Sequence, residues 1–250
     1  MDQLTFEREN HERIQAVENS FGPSGKSLSK PGRFLIGEGR LMKRCRKKWK
    51  PKAFFLFNDI LMYGSAILDR RWYQKQKIIP LEDIQVEDME DGMGANHQWL
   101  IRTPSKSFFV SSLSLEEKQT WIKHIKGCRS SLLHGGGCQP GTTFAVSWIP
   151  DQAAEKCMRC FSNFTATKRR HHCRKCGFLV CNLCSKKREV IGHIHPTKQL
   201  RICNLCHTIK TRGDRTGKDC SDEEEQEGMQ TNRHSCWLDS ERGSWGHMFT

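Results

Sequence analysis

The sequence predicts an α+β multidomain chain: a strand-rich domain closed by one helix, followed by a small cysteine-rich module. Three observations predict this. Short β-like runs, broken by turn residues, occupy the first half and end in one capped helical stretch. Eight of the 13 cysteines then fall in one window as four C-x2-C pairs. A Gly-rich segment separates the two regions, and 250 residues leave room for two small domains.

Taken in order, residues 1–34 read as a partly helical N-terminal segment with Ile14, Val17 and Phe21 on one face. Glu7, Glu9, Glu12 and Glu18 disfavour an anionic surface, so this stripe is expected to pack on the first domain. Strands are expected at 34–36 with 39–45, 53–57, 60–63, 72–79, 98–102 and 107–110, about seven in all, and Asn58-Asp59 supplies a turn. Ser114-Leu115-Glu116-Glu117 is a capping box that starts a helix. Behind it Trp121, Ile125, Cys128 and Leu132 recur at helical spacing and are read as core. The first domain is thus placed at 35–131. A linker at 132–147 contains His134-Gly135-Gly136-Gly137-Cys138-Gln139-Pro140-Gly141. The cysteine module is placed at 148–212. Residues 213–250 are polar, lack periodicity and read as a disordered tail. The acidic run at 222–227 of that tail could fold back on the basic segment 43–52.

Composition narrows the function. No stretch approaches the roughly 20 apolar residues of a spanning helix, and the N-terminus lacks the layout of a signal peptide. The chain is therefore read as soluble and intracellular, where thiols stay reduced and many cysteines point to metal before disulfides. A formal charge of +13 favours an anionic partner, either nucleic acid or a membrane surface.

The pairs Cys157/Cys160, Cys173/Cys176, Cys181/Cys184 and Cys203/Cys206 supply eight thiolates, enough for two closed four-cysteine sites. No position is left for water, so the zincs are structural and not hydrolytic. Counting eight thiolates and two dications leaves a net charge of +9, still basic. Spacing alone permits sequential or interleaved sharing of the ions. Cys45 and Cys128 are read as packing residues. Around Cys173 runs Lys168-Arg169-Arg170-His171-His172-Cys173-Arg174-Lys175, five fixed cations and two imidazoles beside one ligand. Guanidinium forks match phosphate oxygens.

With Trp148-Ile149-Pro150-Asp151 as W-x-x-D, Arg169 to Arg174 as R-R-H-H-C-R and Arg201-Ile202-Cys203 as R-x-C, this module resembles a FYVE zinc finger, a reader of phosphatidylinositol 3-phosphate. The resemblance implies a cross-brace: one zinc on Cys157, Cys160, Cys181 and Cys184, the other on Cys173, Cys176, Cys203 and Cys206. It implies that Arg170, Arg174 and Arg201 hold phosphates with Arg169 in support, and that Asp151 and His172 bond inositol hydroxyls. Trp148 and His171 would line the pocket. One departure stands out. The loop expected to enter the bilayer has Thr165-Ala166-Thr167 at its tip, so insertion by the finger alone is expected to be weak.

The seven strands and C-terminal helix with Trp121 resemble a pleckstrin-homology (PH) domain, a barrel-like β-sandwich capped by a helix. Residues 40–52 carry eight cations and no acid. The PH resemblance places lipid contacts at Lys43, Lys47, Lys48, Lys50 and Lys52. Lys52 stands where Arg is usual, which weakens bidentate selectivity. A PH domain followed closely by a FYVE finger resembles the Phafin family. That implies a non-enzymatic adaptor, cytoplasmic and peripheral on early endosome or lysosome membranes, with trafficking or autophagy proteins as further partners and no nucleic acid. Two rival classes are a RING-like two-zinc ubiquitin ligase and a nucleic-acid-binding zinc protein. The ligase commonly uses a His ligand, whereas cysteines fill both sites here. Neither rival accounts for W-x-x-D with R-R-H-H-C-R. If His171 and His172 titrate near neutrality, membrane binding is expected to be tighter near pH 6 than pH 8.

Overall fold

The computed structural model describes residues 3–67, 72–92, 96–134 and 142–213. The acidic run and most of the Gly-rich segment lie outside the described residues.

Seven antiparallel strands form one sheet: β1 (Leu35–Arg44), β2 (Trp49–Phe57), β3 (Ile60–Ile67), β4 (Trp72–Pro80), β5 (Gln85–Asp88), β6 (Gln98–Arg102) and β7 (Phe108–Ser111). Their order is β4-β3-β2-β1-β7-β6-β5, so β1 is the central strand. It pairs with β2 along its length and with β7 through Met42 and Lys43 at its far end. β2 begins four residues earlier than the sequence predicts. Trp49-Lys50-Pro51-Lys52 shows little β-like alternation, but its backbone continues the ladder on β1 (Met42↔Pro51, Lys43↔Lys50). The pairing of β2 with β3 is confined to Ala53–Leu56, so Pro51 stands where its missing N–H breaks no bond to β3. β5 was not expected either: Gln85-Val86-Glu87-Asp88 holds one apolar residue, and pairing with the buried strand β6 creates it.

Two helices cover the sheet. An N-terminal helix α1 (Gln3–Asn19) buries Ile14 and Val17, with Phe21 just beyond it, against Phe55, Phe57 and Met62. The Phe21 ring needs Gly64 on β3, where an added Cβ would lie 2.5 Å from it. The second helix, α2 (Leu115–His134), starts at the predicted cap. Ser114 Oγ accepts from the Glu117 N–H at 3.1 Å, and the Glu117 carboxylate accepts from the Leu113 N–H at 3.1 Å. Trp121 and Ile125 enter the main core with Leu41, Phe54, Trp99 and Ile101, flanked by Cys128 and Leu132.

The cysteine module has little regular structure. Two hairpin fragments, β8 (His171–His172) with β9 (Leu179–Val180) and β10 (Arg188–Val190) with β11 (Gln199–Arg201), precede α3 (Asn204–Gly213). Its core consists of Cys157, Cys173, Cys181 and Cys203 with Val180, Ile191 and Ile202. That is too little apolar area for a fold of this length without a staple. Among the described residues, no helix is long and apolar enough to cross a membrane.

Candidate headgroup site and zinc centres

The eight paired cysteines gather into two quartets, Cys157 with Cys160, Cys181 and Cys184, and Cys173 with Cys176, Cys203 and Cys206. The interleaved alternative is therefore the one the fold adopts. Within each quartet all four sulfurs lie within 4.8 Å of one another. Sγ–Sγ separations of 3.8 Å (Cys160–Cys181) and 3.9 Å (Cys176–Cys203) match the edge of a tetrahedron with Zn–S bonds of about 2.3 Å. The surroundings suit thiolates. The Cys181 N–H points at Cys157 Sγ and the Cys203 N–H at Cys173 Sγ, each at 3.2 Å, and Arg159 Nη2 lies 3.5 Å from Cys176 Sγ. Such donors offset the excess negative charge of a four-thiolate zinc site. The residues fit two structural zinc ions, whose binding supplies folding free energy to this small module.

The second quartet orients the cationic face. Arg174 N–H donates to the Arg201 carbonyl at 2.9 Å, which sets R-R-H-H-C-R beside R-x-C. Across the β10–β11 ladder, Arg188 is the direct partner of Arg201. Like charges directly opposite are unfavourable in a sheet, so this placement spends stability on concentrating charge. These three arginines direct their side-chain hydrogen bonds to carbonyls, an amide and a hydroxyl: Arg174 to His172 O, Arg188 to the carbonyls of 185–187, Arg201 to Asn182 and Ser185. Among the described residues, none of the three forms an ion pair. Burial and then the other arginines push the Arg174 guanidinium below its ordinary range, and burial and then Arg188 do the same to Arg201.

The W-x-x-D segment forms the opposite wall. It docks where Gly177, at φ +74°, passes Ser147; an added Cβ would lie 2.5 Å from that carbonyl. Ile149 N–H then bonds the Gly177 carbonyl at 3.2 Å. Trp148 stacks on His172, and the Arg174 guanidinium carbon lies 4.2 Å from the indole centroid. Buried His172 places Nε2 2.8 Å from the Ile149 carbonyl and 3.6 Å from Asp151. Burial chiefly, and then Arg201 and Arg46, lowers the His171 pKa. Burial lowers that of His172 as well, against the upward pull of Ile149 O and Asp151. Arg170 packs its guanidinium over Phe164 at 4.8 Å and reaches the Ala154 carbonyl, while Arg169 is exposed. Phe164 packs against the module's core rather than at the loop tip, where Thr165 closes a turn onto Lys168.

The PH-type cations divide into two groups. Lys47 and Lys48 are exposed on the β1–β2 loop, and Lys50 is exposed on β2. Lys43 is buried, 4% exposed, with Nζ 3.8 Å from the Phe108 ring centroid and 5.3 Å from that of Tyr63. Burial first, then Lys106 and Lys52, lowers its pKa to about 8. Lys52 is bonded to Ser65 Oγ and lowered too, chiefly by burial. Three site residues escaped the sequence reading. Arg188 belongs to no motif. Arg46 lies inside the basic run but is unremarkable there without its partner in space. Lys106, near Lys43, also has Nζ 5.0 Å from the Trp148 ring.

Comparison with known proteins accounts for both halves. A family model described as PH domain matches residues 35–130, and one described as FYVE zinc finger matches 147–212. The chain is 51% identical over 208 residues to pleckstrin homology domain-containing family F member 1 of Rattus norvegicus, covering 83% of this chain and 74% of that protein. It belongs to the Phafin family. Member 2 of Gallus gallus is 46% identical over 217 residues, covering 86% and 87% respectively. The chain thus pairs a PH fold with a FYVE finger. These two modules indicate phosphoinositide lipid binding and peripheral membrane association.

Proposed function

We propose that this Phafin-family chain is a non-enzymatic adaptor that reads phosphatidylinositol 3-phosphate through its FYVE finger, with the PH domain as a second membrane contact. The observation that carries this reading is the cluster of Arg174, Arg188 and Arg201 beside His171, Asp151 and Trp148. The arginines lack carboxylate partners among the described residues, and a phosphate dianion would relieve their mutual repulsion. Asp151 and His172 supply groups able to bond ring hydroxyls. Arg170 and Arg169 extend the cationic rim. Exposed Lys47, Lys48 and Lys50 form the PH-side contact, with buried Lys43 and half-buried Lys52 adding positive charge beneath it, and two sites on one surface bind more tightly than either alone. That avidity offsets a finger whose loop tip carries only Thr165, Ala166 and Thr167. Recruitment to endosomal or lysosomal membranes, for trafficking or autophagy, follows from where such lipid is displayed.

The test is vesicle co-flotation of zinc-loaded protein, comparing phosphatidylinositol 3-phosphate with phosphatidylinositol, for wild type and Arg201→Ala. Selective flotation that the substitution abolishes supports the finger as the reader. Selectivity that survives it moves recognition to the PH loop.

A further inference from the structure

The β1–β2 loop of the PH domain, residues 45–48, reaches into the FYVE site. Arg46 Nε donates to both carboxylate oxygens of Asp151, at 3.2 and 2.9 Å, and its Nη2 donates to the Arg170 carbonyl at 2.9 Å. The backbone adds a return contact, Asp151 N–H to the Arg46 carbonyl at 3.4 Å. A second junction holds the same two domains together: Ala145 N–H bonds the Thr103 carbonyl at 3.0 Å, and Ser107 Oγ bonds the Ala145 carbonyl. The loop therefore meets the finger through an anchored approach.

The chemistry of the contact is directional. A guanidinium serving as an additional headgroup ligand would aim its N–H groups at a phosphate. Here the Nε–H is directed at a carboxylate and a terminal nitrogen at a carbonyl, both belonging to the finger. Asp151 is 12% exposed on its side chain, so the oxygens covered by Arg46 are most of what it could offer to a ring hydroxyl. Arg46 itself is half exposed, which leaves it free to swing away.

We propose that Arg46 is an autoinhibitory latch: it caps Asp151, and an inositol headgroup must displace it to reach the hydroxyl-binding end of the site. This rests on the finger being the headgroup reader. Since the same four-residue loop carries Lys47 and Lys48, opening the latch also frees the PH domain's basic loop to turn to the bilayer. Occupancy of one site thereby favours occupancy of the other, as linkage requires of any shared contact.

The experiment is co-flotation of full-length, zinc-loaded wild type, Arg46→Ala and Arg46→Lys on phosphatidylcholine vesicles doped with phosphatidylinositol 3-phosphate or with phosphatidylinositol. Lys keeps the charge but lacks the fork that bonds the Asp151 carboxylate and the Arg170 carbonyl together. The latch requires both variants to bind the 3-phosphate vesicles more tightly than wild type, by about fivefold or more, the lower range of allosteric coupling. If Arg46→Ala binds more weakly while Arg46→Lys matches wild type, Arg46 is a headgroup ligand and the latch is wrong. Unchanged binding in both also overturns it. If wild type and both variants fail to distinguish the two lipids, the finger reading itself has failed and the latch falls with it.

Discussion

Trp148 lies nearly flat on His172, with ring centroids 5.0 Å apart and planes inclined by 20°. The same indole is 4.2 Å from the Arg174 guanidinium carbon, so one side chain positions an imidazole and an arginine of the cationic cluster together. Trp148→Ala should cost about 1–2 kcal/mol of headgroup affinity, about five- to thirtyfold, through the lost cation–π and stacking contacts. Trp148→Phe should recover most of it. Equilibrium binding to 3-phosphate vesicles reads the loss, and zinc content read by mass spectrometry should stay at two ions per chain. A variant that loses zinc would show Trp148 to be a fold residue first.

Arg188 offers a cleaner test of the cationic cluster because it lies outside the three family motifs. Arg188→Gln should weaken binding to 3-phosphate vesicles several-fold and flatten its salt dependence. It should leave thermal stability equal or slightly raised, since Arg188 and Arg201 face each other across a ladder. Exposed Arg169→Gln should have the smaller effect on binding. The reverse order would remove Arg188 from the site.

Lys43 gives the pH dependence. Its pKa is about 8 in the folded chain against an ordinary 10.5, so between those values the unfolded chain holds more protons. Stability should therefore rise as pH climbs from about 8 to 10.5, and the contribution should be absent below 8. Lys43→Met should remove that part of the rise, read as the wild-type-minus-variant difference in urea midpoints at pH 7, 9 and 10. Binding has the opposite sign. An anionic headgroup favours the ammonium, so PH-dependent vesicle binding should weaken from pH 7 to pH 9. A wild-type profile flat over this range would place Lys43 outside the headgroup contact.

Zinc removal should divide the chain thermodynamically. Chelation should melt the FYVE finger while the PH domain, with its own apolar core, keeps its transition. Cys203→Ser should reduce the zinc count and lower the finger's melting temperature, detectable by calorimetry beside an unshifted PH transition. Equal destabilisation of both transitions would mean that the domains unfold as one unit.

What the sequence revealed depended on how local each signal was. The cap at Ser114 and Glu117 and the stripe from Trp121 to Leu132 are decided within a few residues, and the helix follows them. The cysteine pairs were legible for the same reason, whereas their grouping across the chain was not set by spacing. β5 was illegible because its pairing with Trp99, Leu100 and Ile101 makes it a strand. Lys43 looks like any surface lysine in a basic run. Its burial depends on Tyr63 and Phe108, which tertiary folding brings beneath it. Arg46 and Asp151 are 105 residues apart, and no local pattern announces that a loop of one domain will meet the acid of the other.

The interleaved cysteine quartets also constrain how this chain can be made. When residue 184 has left the ribosome, all four ligands of the first quartet exist, but the second still lacks Cys203 and Cys206. Before that, at residue 176, the only C-x2-C pairs available are Cys157/Cys160 and Cys173/Cys176, a set of four that matches neither native site. An ion captured then would hold a non-native loop that must be released before the cross-brace can close. Exchangeable zinc, or a delay in metal delivery until the whole finger has emerged, is therefore a requirement of biosynthesis, and conditions that bind zinc too early or too tightly should yield misassembled fingers in an otherwise intact chain.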